Sequence, residues 1–118
     1  MNNETLKVTD EKKLLSAIGL AANAGKVIAG VPLICTALKG GAGKASFLVI
    51  EACDTSENTH KRICDRCRFY GARHVRTEID ASALSRAVGK SAPLGAVALS
   101  DSSFCRLIEQ YLRIDCKN

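Results

Sequence analysis

Two short segments of this chain are apolar along almost their whole length, and they constrain the fold more than any other feature. Ser46–Ile50 has the sequence Ser-Phe-Leu-Val-Ile, and Gly95–Leu99 has the sequence Gly-Ala-Val-Ala-Leu. Successive side chains of a β-strand point to opposite faces, so a strand that is apolar throughout is buried on both sides. The two segments therefore predict inner strands of a sheet that helices cover on both faces.

Helical segments alternate with these strands and with two further extended segments. Lys26–Ala29 and His74–Thr77 are the additional strands, and the mixed polarity of the second indicates a strand near a sheet edge. Apolar spacing and capping residues predict helices from Asp10 to Gly25, Pro32 to Gly40, Asp54–Ser56 to about Tyr70, Asp80 or Ser82 to Gly89, and Asp101 or Ser102 to about Leu112. Strict alternation in one small domain predicts the α/β class, as a three-layer α/β/α sandwich.

The length of 118 residues fits one domain. We expect residues 10–113 to form this domain, residues 1–9 to be a flexible tail and residues 114–118 to be a frayed C-terminus. No stretch reaches the length of a membrane span, and the N-terminal residues have no apolar run of the signal-peptide type. A cytoplasmic monomer that does not contact membranes is expected.

The charge balance favours a polyanionic partner. Lys and Arg number 17, Asp and Glu number 12, and the formal net charge is +5. A small basic protein attracts nucleic acid, so RNA or the ribosome is the partner that this balance favours. The alternative, that mild positive charge only aids solubility, stays open on charge alone.

The glycine-rich turn Gly40–Lys44 resembles part of a phosphate-binding loop. The full motif needs Gly, four residues, then Gly-Lys-Ser/Thr after a strand and before a helix. Here Leu38 and Ala45 occupy the first and last motif positions, and the turn follows a predicted helix. We therefore expect no nucleotide hydrolysis, although Lys44 could contact a backbone phosphate.

Cys64 and Cys67 form a Cys-x-x-Cys pair inside the third predicted helix. A redox pair is activated when its first Cys lies at a helix N-terminus, which is not the position here. His60 joins the two cysteines on one side of the helix, and Cys53 or His74 could complete a zinc site, but Cys67 coincides with the buried stripe. We expect reduced, mostly buried thiols, with no metal and no cofactor.

No catalytic set is evident in the sequence. Neither histidine has a nearby Ser, Asp or Cys in a recognisable nucleophile–base arrangement. Glu51 and Asp54 could form a carboxylate pair, but capping of the next helix by Asp54 or Ser56 is the favoured interpretation. The sequence therefore predicts a protein that is not an enzyme.

A family resemblance extends across residues 10–113. It is carried by Ala24–Gly30, by Lys44–Ile63 with its Asp-Thr-Ser-Glu-Asn-Thr segment, by Leu84–Lys90 and by Ala96–Asp101. In order and spacing these segments resemble the kink-turn-binding ribosomal protein family, the large-subunit "seven-A-e" and "thirty-e" type, and its short bacterial ribosomal-protein-like branch most of all. The resemblance implies the same α/β/α sandwich, with a mixed four-stranded sheet.

The resemblance also implies that RNA is bound by three loops at one end of the sandwich. Lysines would contact phosphates, Gly30 and Gly89 would allow close approach, and Asn58 would contact a base. The predicted RNA-binding residues are Lys26, Gly30, Val31, Pro32, Leu33, Thr36, Lys39, Lys44, Asn58, Lys61, Gly89, Lys90, Ser91, Ala92 and Pro93. The predicted function is non-enzymatic binding of ribosomal or other structured, kink-turn-like RNA.

The first loop departs from the family pattern. Kink-turn binders carry Thr-Asn-Glu after the glycine and a lysine three residues later, where this chain has Val31, Pro32, Leu33 and Thr36. The resembling fold is also used by growth-arrest adaptor proteins that bind other proteins, so an apolar first loop leaves a protein-interaction module as the alternative. A small zinc or redox protein is a third hypothesis.

Overall fold

A computed structural model of the chain describes residues 5–8, 10–40 and 47–113. Its elements are β1 (Thr5–Val8), α1 (Glu11–Asn23), β2 (Val27–Ala29), α2 (Val31–Gly40), β3 (Leu48–Glu51), α3 (Glu57–Tyr70), β4 (Arg73–Thr77), α4 (Ala81–Ala87), β5 (Ala96–Leu99), α5 (Ser102–Glu109) and β6 (Leu112–Arg113). The predicted alternation of helices and strands is confirmed. The structure also contains two short strands that were not predicted, β1 and β6, near the ends of the described chain.

The strands form one mixed sheet in the order β2-β5-β3-β4-β1-β6. β5 is antiparallel to both β2 and β3, whereas β3, β4 and β1 are parallel to one another. The four predicted strands are therefore contiguous, and β1 and β6 extend the sheet beyond β4. Because β2 and β3 both oppose β5, their carboxyl ends lie beside the amino end of β5, which brings three connecting segments to one end of the sheet.

Successive residues of the inner strands pack into opposite layers. In β3, Leu48 and Ile50 pack with α1, α4 and α5, whereas Val49 packs with α2 and α3. The residues of β5 divide between the two layers in the same alternating way. All of these side chains are almost completely buried. The α/β/α sandwich and the interpretation of the two apolar segments as doubly covered strands are confirmed.

Helix boundaries follow the capping residues that the sequence supplies. The side chains of Asp10, Ser56, Asp80 and Asp101 each accept a hydrogen bond from the backbone N–H three residues later, at the start of α1, α3, α4 and α5. Gly71 ends α3 with a φ of 76°, a conformation that glycine adopts without strain. Among the described residues, α3 is the longest helix, with 14 residues. Within the described ranges, no helix is long and apolar enough to cross a bilayer.

Three expectations at the ends of the domain are wrong. Thr5–Val8 forms β1 instead of a flexible tail, because its backbone pairs with β4 on one side and β6 on the other. β4 is consequently an internal strand and not an edge strand. The last helix ends at Glu109, and Leu112–Arg113 pairs with β1. Residues 41–46, which include Lys44, and residues 114–118 lie outside the described residues.

Substitution of Gly19 tests the closeness of α1 to α4. A Cβ at this position would lie 3.0 Å from the carbonyl oxygen of Ala87. Gly-to-Ala changes inside helices ordinarily stabilise by about 0.5–1 kcal/mol. We expect Gly19→Ala instead to lower the free energy of unfolding in urea by about 1 kcal/mol, since the helices must separate. Gly40→Ala is the control, because no atom of the described residues lies within 4 Å of its Cβ position. Higher stability of Gly19→Ala would contradict this packing.

Candidate nucleic-acid interface

Three loops converge at one end of the sandwich. Loop 1 (Gly30 with residues 31–33 of the first turn of α2) follows β2, loop 2 (residues 52–56) follows β3, and loop 3 (residues 88–95) precedes β5. Together with the starts of α3 and α4 they enclose a depression, here named the three-loop groove. It is lined by Gly30, Val31, Pro32, Asp54, Thr55, Thr59, Arg62, Ala81, Pro93, Leu94 and Gly95. The family resemblance implied a convergence of this kind, and the sheet topology produces it.

Gly95 lies where the three loops touch. A Cβ at this position would be 3.2 Å from Cγ2 of Thr55 in loop 2 and 3.4 Å from Cγ2 of Val31 in loop 1. The backbone adds two direct links: the Gly30 N–H donates to the carbonyl oxygen of Ala96 (3.0 Å), and the Ala52 N–H donates to that of Gly95 (2.9 Å). The absence of a side chain at Gly95 therefore allows loops 1 and 2 to close around the start of β5.

A buried serine organises loop 3. The Ser85 hydroxyl lies 2.8 Å from the carbonyl oxygen of Lys90 and 2.7 Å from that of Ala92, and it has one proton to share between them. The Lys90 N–H in turn donates to the Ser85 carbonyl oxygen at 2.9 Å. Ser85 is 2% exposed, so these bonds form away from solvent. They fix the path of a segment that has no regular secondary structure of its own.

Loop 2 is tied to its neighbours by Asp54 and Arg76. Asp54 Oδ1 accepts from the N–H of Ala81 at 2.9 Å, which joins loop 2 to the start of α4. Arg76 Nη2 donates to the carbonyl oxygen of Cys53 (3.3 Å) and to the hydroxyl of Thr55 (3.4 Å). Asp54 is exposed, whereas Glu51 is fully buried. Of the two residues predicted to cap the next helix, Ser56 caps α3, whereas Asp54 contacts the start of α4.

A buried carboxylate lies directly behind loop 2. Glu51 Oε1 is 2.8 Å from His60 Nδ1 and 2.7 Å from His74 Nε2, and Oε2 accepts from the Thr55 hydroxyl. The Nε atom of Arg76 lies 3.8 Å from Oε2. Burial raises the pKa of Glu51, but the hydrogen bonds from His74, Thr55 and His60 outweigh burial and leave the pKa below its usual value. The group is therefore an ionised acceptor at neutral pH.

Cys64 lies next to the two histidines. Its Sγ is 3.6 Å from His60 Nε2 and 3.8 Å from His74 Nδ1. Burial, followed by the charge of Glu51, raises the pKa of the Cys64 thiol, so it is not an activated nucleophile. Cys67 is a core residue whose pKa burial raises to about 12. The Cys-x-x-Cys pair is thus divided between two environments, which agrees with the expectation that it is not a redox pair.

The predicted RNA-binding residues divide among several surfaces. Gly30, Val31, Pro32 and Pro93 line the three-loop groove, Leu33, Thr36 and Lys90 line an adjoining depression, and Asn58 and Lys61 line the outer side of α3. Lys26, Lys39, Gly89, Ser91 and Ala92 are exposed but lie outside these three depressions. Val31 is only 9% exposed, because its side chain packs into the α2–α3 layer. A side-chain contact from Val31 to RNA is therefore not expected.

Arg62 is the positively charged groove residue that the sequence prediction omitted. Arg62 lies in a dense basic stretch that runs from Lys61 to Arg76. Thr59 and Arg62 are three residues apart and share one face of α3, while Thr55 precedes the helix in loop 2; all three line the groove. Spacing relative to loop 2, rather than the count of basic residues, was the signal that could have identified Arg62.

Comparison with known proteins identifies the family. No family model matches the chain. The RNA-binding protein YlxQ of Bacillus subtilis (strain 168) is 34% identical over 87 residues, which cover 74% of this chain and 82% of YlxQ. The chain belongs to the YlxQ family.

Two solved structures have the same fold as this chain. A protein of unknown function from Bacillus halodurans C superposes with a TM-score of 0.71 at 28% identity, covering 84% of this chain and 95% of that one. The Giardia lamblia 15.5kD RNA binding protein superposes with a TM-score of 0.66 at 18% identity, covering 86% of this chain and 82% of that one. At that identity, the second match supports the fold alone.

Removal of the Ser85 hydroxyl tests how loop 3 is held. We expect Ser85→Ala to lower the free energy of unfolding by about 1–2 kcal/mol, because it leaves the carbonyl oxygens of Lys90 and Ala92 without their shared donor. Amide hydrogen exchange should also accelerate in residues 88–95. Ser82→Ala is the matched control, since Ser82 lies in the same helix and is exposed. Equal stability and equal exchange in the two variants would contradict this role.

Proposed function

We propose that this chain is a non-enzymatic RNA-binding protein that holds structured RNA at the three-loop groove. The observation that carries the proposal is the convergence of three loops, distant in sequence, around one groove that contains an arginine. The name of its relative YlxQ supports RNA as the ligand. The exposed surface of the groove, rather than any catalytic cluster, is then the functional feature of the molecule.

The groove offers groups that suit a phosphate backbone. Arg62 presents a planar guanidinium, which pairs with phosphate oxygens by two parallel hydrogen bonds. The first N–H groups of a helix have no partner inside it, and in α2 these belong to Val31 and Leu33 because Pro32 has none. Oriented N–H groups at a helix N-terminus attract anions. Backbone groups of loop 1 therefore replace the polar side chains that kink-turn binders carry there.

Exposed lysines occur in loop 3 and also toward the other end of the sheet, before β2 and at the end of α2. Lys26 precedes β2, Lys39 lies in the last turn of α2, and Lys90 lies in loop 3. Such exposed cations contribute long-range attraction and counterion release without sequence specificity. Asn58, exposed in the first turn of α3, has both a donor and an acceptor for the edge of an unpaired base.

The apolar part of loop 1 is smaller than the sequence indicated. Val31 is buried, while Pro32 is exposed and Leu33 is 60% exposed. We assign Pro32 and Leu33 to contacts with sugar or base faces, since unstacked RNA bases present apolar surface. Selection for a bent RNA such as a kink-turn would then rest on shape and backbone geometry more than on base edges. Ribosomal RNA, bound by the monomer in the cytoplasm, is the ligand class that we propose.

The proposal is tested by RNA binding of the Arg62→Ala variant. A salt series is measured with a fluorescent kink-turn RNA and with a plain hairpin of equal length. We expect the unmodified protein to prefer the kink-turn, with affinity that falls steeply as salt rises. Arg62→Ala should weaken binding roughly tenfold and reduce the salt slope by about one, because one phosphate contact is lost.

Arg106→Ala is the matched control for this experiment. Arg106 is exposed on α5, and α5 packs in the layer opposite to α3, so the substitution removes the same charge far from the groove. An equal loss of affinity in the two variants would contradict binding at the groove and indicate generic electrostatics. Absence of RNA binding at low salt would contradict the proposal itself and favour protein docking at Pro32 and Leu33.

A further inference from the structure

The strongest unassigned feature is the arrangement of His60, Cys64 and His74 around the buried Glu51. Glu51 contacts one nitrogen of each imidazole, Nδ1 of His60 and Nε2 of His74. The second nitrogens, Nε2 of His60 and Nδ1 of His74, are the ones that lie near Cys64 Sγ, at 3.6 and 3.8 Å. Each ring thus contacts Glu51 with one nitrogen and turns its other nitrogen toward the Cys64 sulfur.

The tautomers follow from the chemistry of Glu51. An ionised carboxylate accepts hydrogen bonds and donates none, so the two ring nitrogens that face it carry their protons. In a neutral imidazole the other nitrogen then offers a lone pair. A thiol has one proton and can donate it to only one of these two nitrogens. A metal ion, by contrast, accepts electron pairs from both nitrogens and from the sulfur at once.

The distances suit a tetrahedral ion. With zinc–nitrogen bonds of about 2.0–2.1 Å and zinc–sulfur bonds of about 2.3 Å, nitrogen and sulfur ligands are separated by roughly 3.5 Å. The two nitrogen–sulfur distances here are 3.6 and 3.8 Å. One ligand atom from each of the three residues lies within 4.8 Å of the other two. Only small side-chain movements would bring all three onto one ion.

We propose that His60 Nε2, His74 Nδ1 and Cys64 Sγ bind a zinc ion, with Glu51 as the carboxylate that orients both imidazoles. Metal-binding histidines usually donate their other N–H to a carboxylate or carbonyl, and here one carboxylate serves both rings. Binding displaces the Cys64 thiol proton to solvent, and the thiolate sulfur donates its electron pair to the ion. Two imidazoles and a thiolate are the donors that zinc prefers.

This site differs from the zinc set that the sequence alone indicated. Cys67 is a core residue and Cys53 is exposed, so neither joins the three ligands. His74 joins through the parallel pairing of β3 with β4, which sets it opposite Val49. The ion would therefore connect α3 to β4 without the second half of the Cys-x-x-Cys pair.

An entry route exists on the outer side of α3. His60 and Cys64 are half-buried and line an open depression, together with Glu57, Asn58, Lys61, Asp65 and Arg68. A metal ion can reach His60 and Cys64 from this side. A tetrahedral ion held by three protein ligands keeps a fourth coordination position. A solvent molecule or a small anion would occupy that position, as in zinc sites with three protein ligands.

Cobalt(II) is the probe that tests the site, since it adopts the same tetrahedral geometry and is coloured. The full chain is treated with a chelator, kept reduced and titrated with cobalt. We expect intense visible bands typical of tetrahedral cobalt and a near-ultraviolet sulfur-to-cobalt charge-transfer band, both saturating at one equivalent. Added zinc should abolish both. A wild-type titration without these bands, or with six-coordinate weak bands only, would overturn the proposal.

Variants assign the spectrum to individual residues. Cys64→Ser should remove the charge-transfer band, while the exposed Cys53→Ser should keep it. His74→Gln should shift the visible bands and weaken binding, and Glu51→Gln should weaken it roughly 10- to 100-fold while keeping the charge-transfer band. Circular dichroism confirms that each variant is folded. An unchanged spectrum in both Cys64→Ser and His74→Gln, or equal loss in Cys53→Ser, would place the cobalt elsewhere and overturn the proposal.

Discussion

Glu51 is an ionised carboxylate at the end of the inner strand β3, where its side chain is completely buried. Such a charge is tolerated only when it is paired and hydrogen-bonded, and His60, His74 and Thr55 supply those bonds. These partners belong to α3, β4 and loop 2, so one carboxylate fixes three elements relative to the sheet. Removal of one partner would leave the carboxylate buried without a full set of donors, which costs several times more than loss of an exposed contact.

The three-loop groove and the proposed zinc site both depend on Glu51, and they lie on opposite sides of α3. Toward loop 2, Glu51 accepts a hydrogen bond from Thr55, whose methyl group packs at Gly95. Helix α3 follows loop 2 and places Arg62 in the groove. Toward the outer side of the helix, the same carboxylate orients the imidazoles of His60 and His74. An RNA surface needs loops held in fixed positions, since flexible loops lose entropy on binding. The buried polar cluster provides that rigidity where the chain has no regular structure.

The sequence predicts the layers of this fold well because they depend on local patterns. The capping residues Asp10, Ser56 and Asp101 fix helix starts through contacts three residues away, and the apolar runs identify β3 and β5. β1 was missed because its stability comes from pairing with β4, about 70 residues later, and not from its own short pattern. The cluster around Glu51 was missed for the same reason: the parallel register of β3 and β4 brings His74 to a carboxylate 23 positions earlier. A glutamate after an apolar run gives no local sign that it is buried.

The central claim is that RNA occupies the end of the sandwich where loops 1, 2 and 3 meet. Amide hydrogen–deuterium exchange, measured with and without a saturating structured RNA, tests it residue by residue. The account predicts slower exchange in residues 30–33, in residues 52–62 and in residues 88–95. It predicts no change in α1 or α5, which pack on the face of the sheet opposite to α2 and α3. Protection confined to α1 and α5, or spread evenly over the surface, would contradict it.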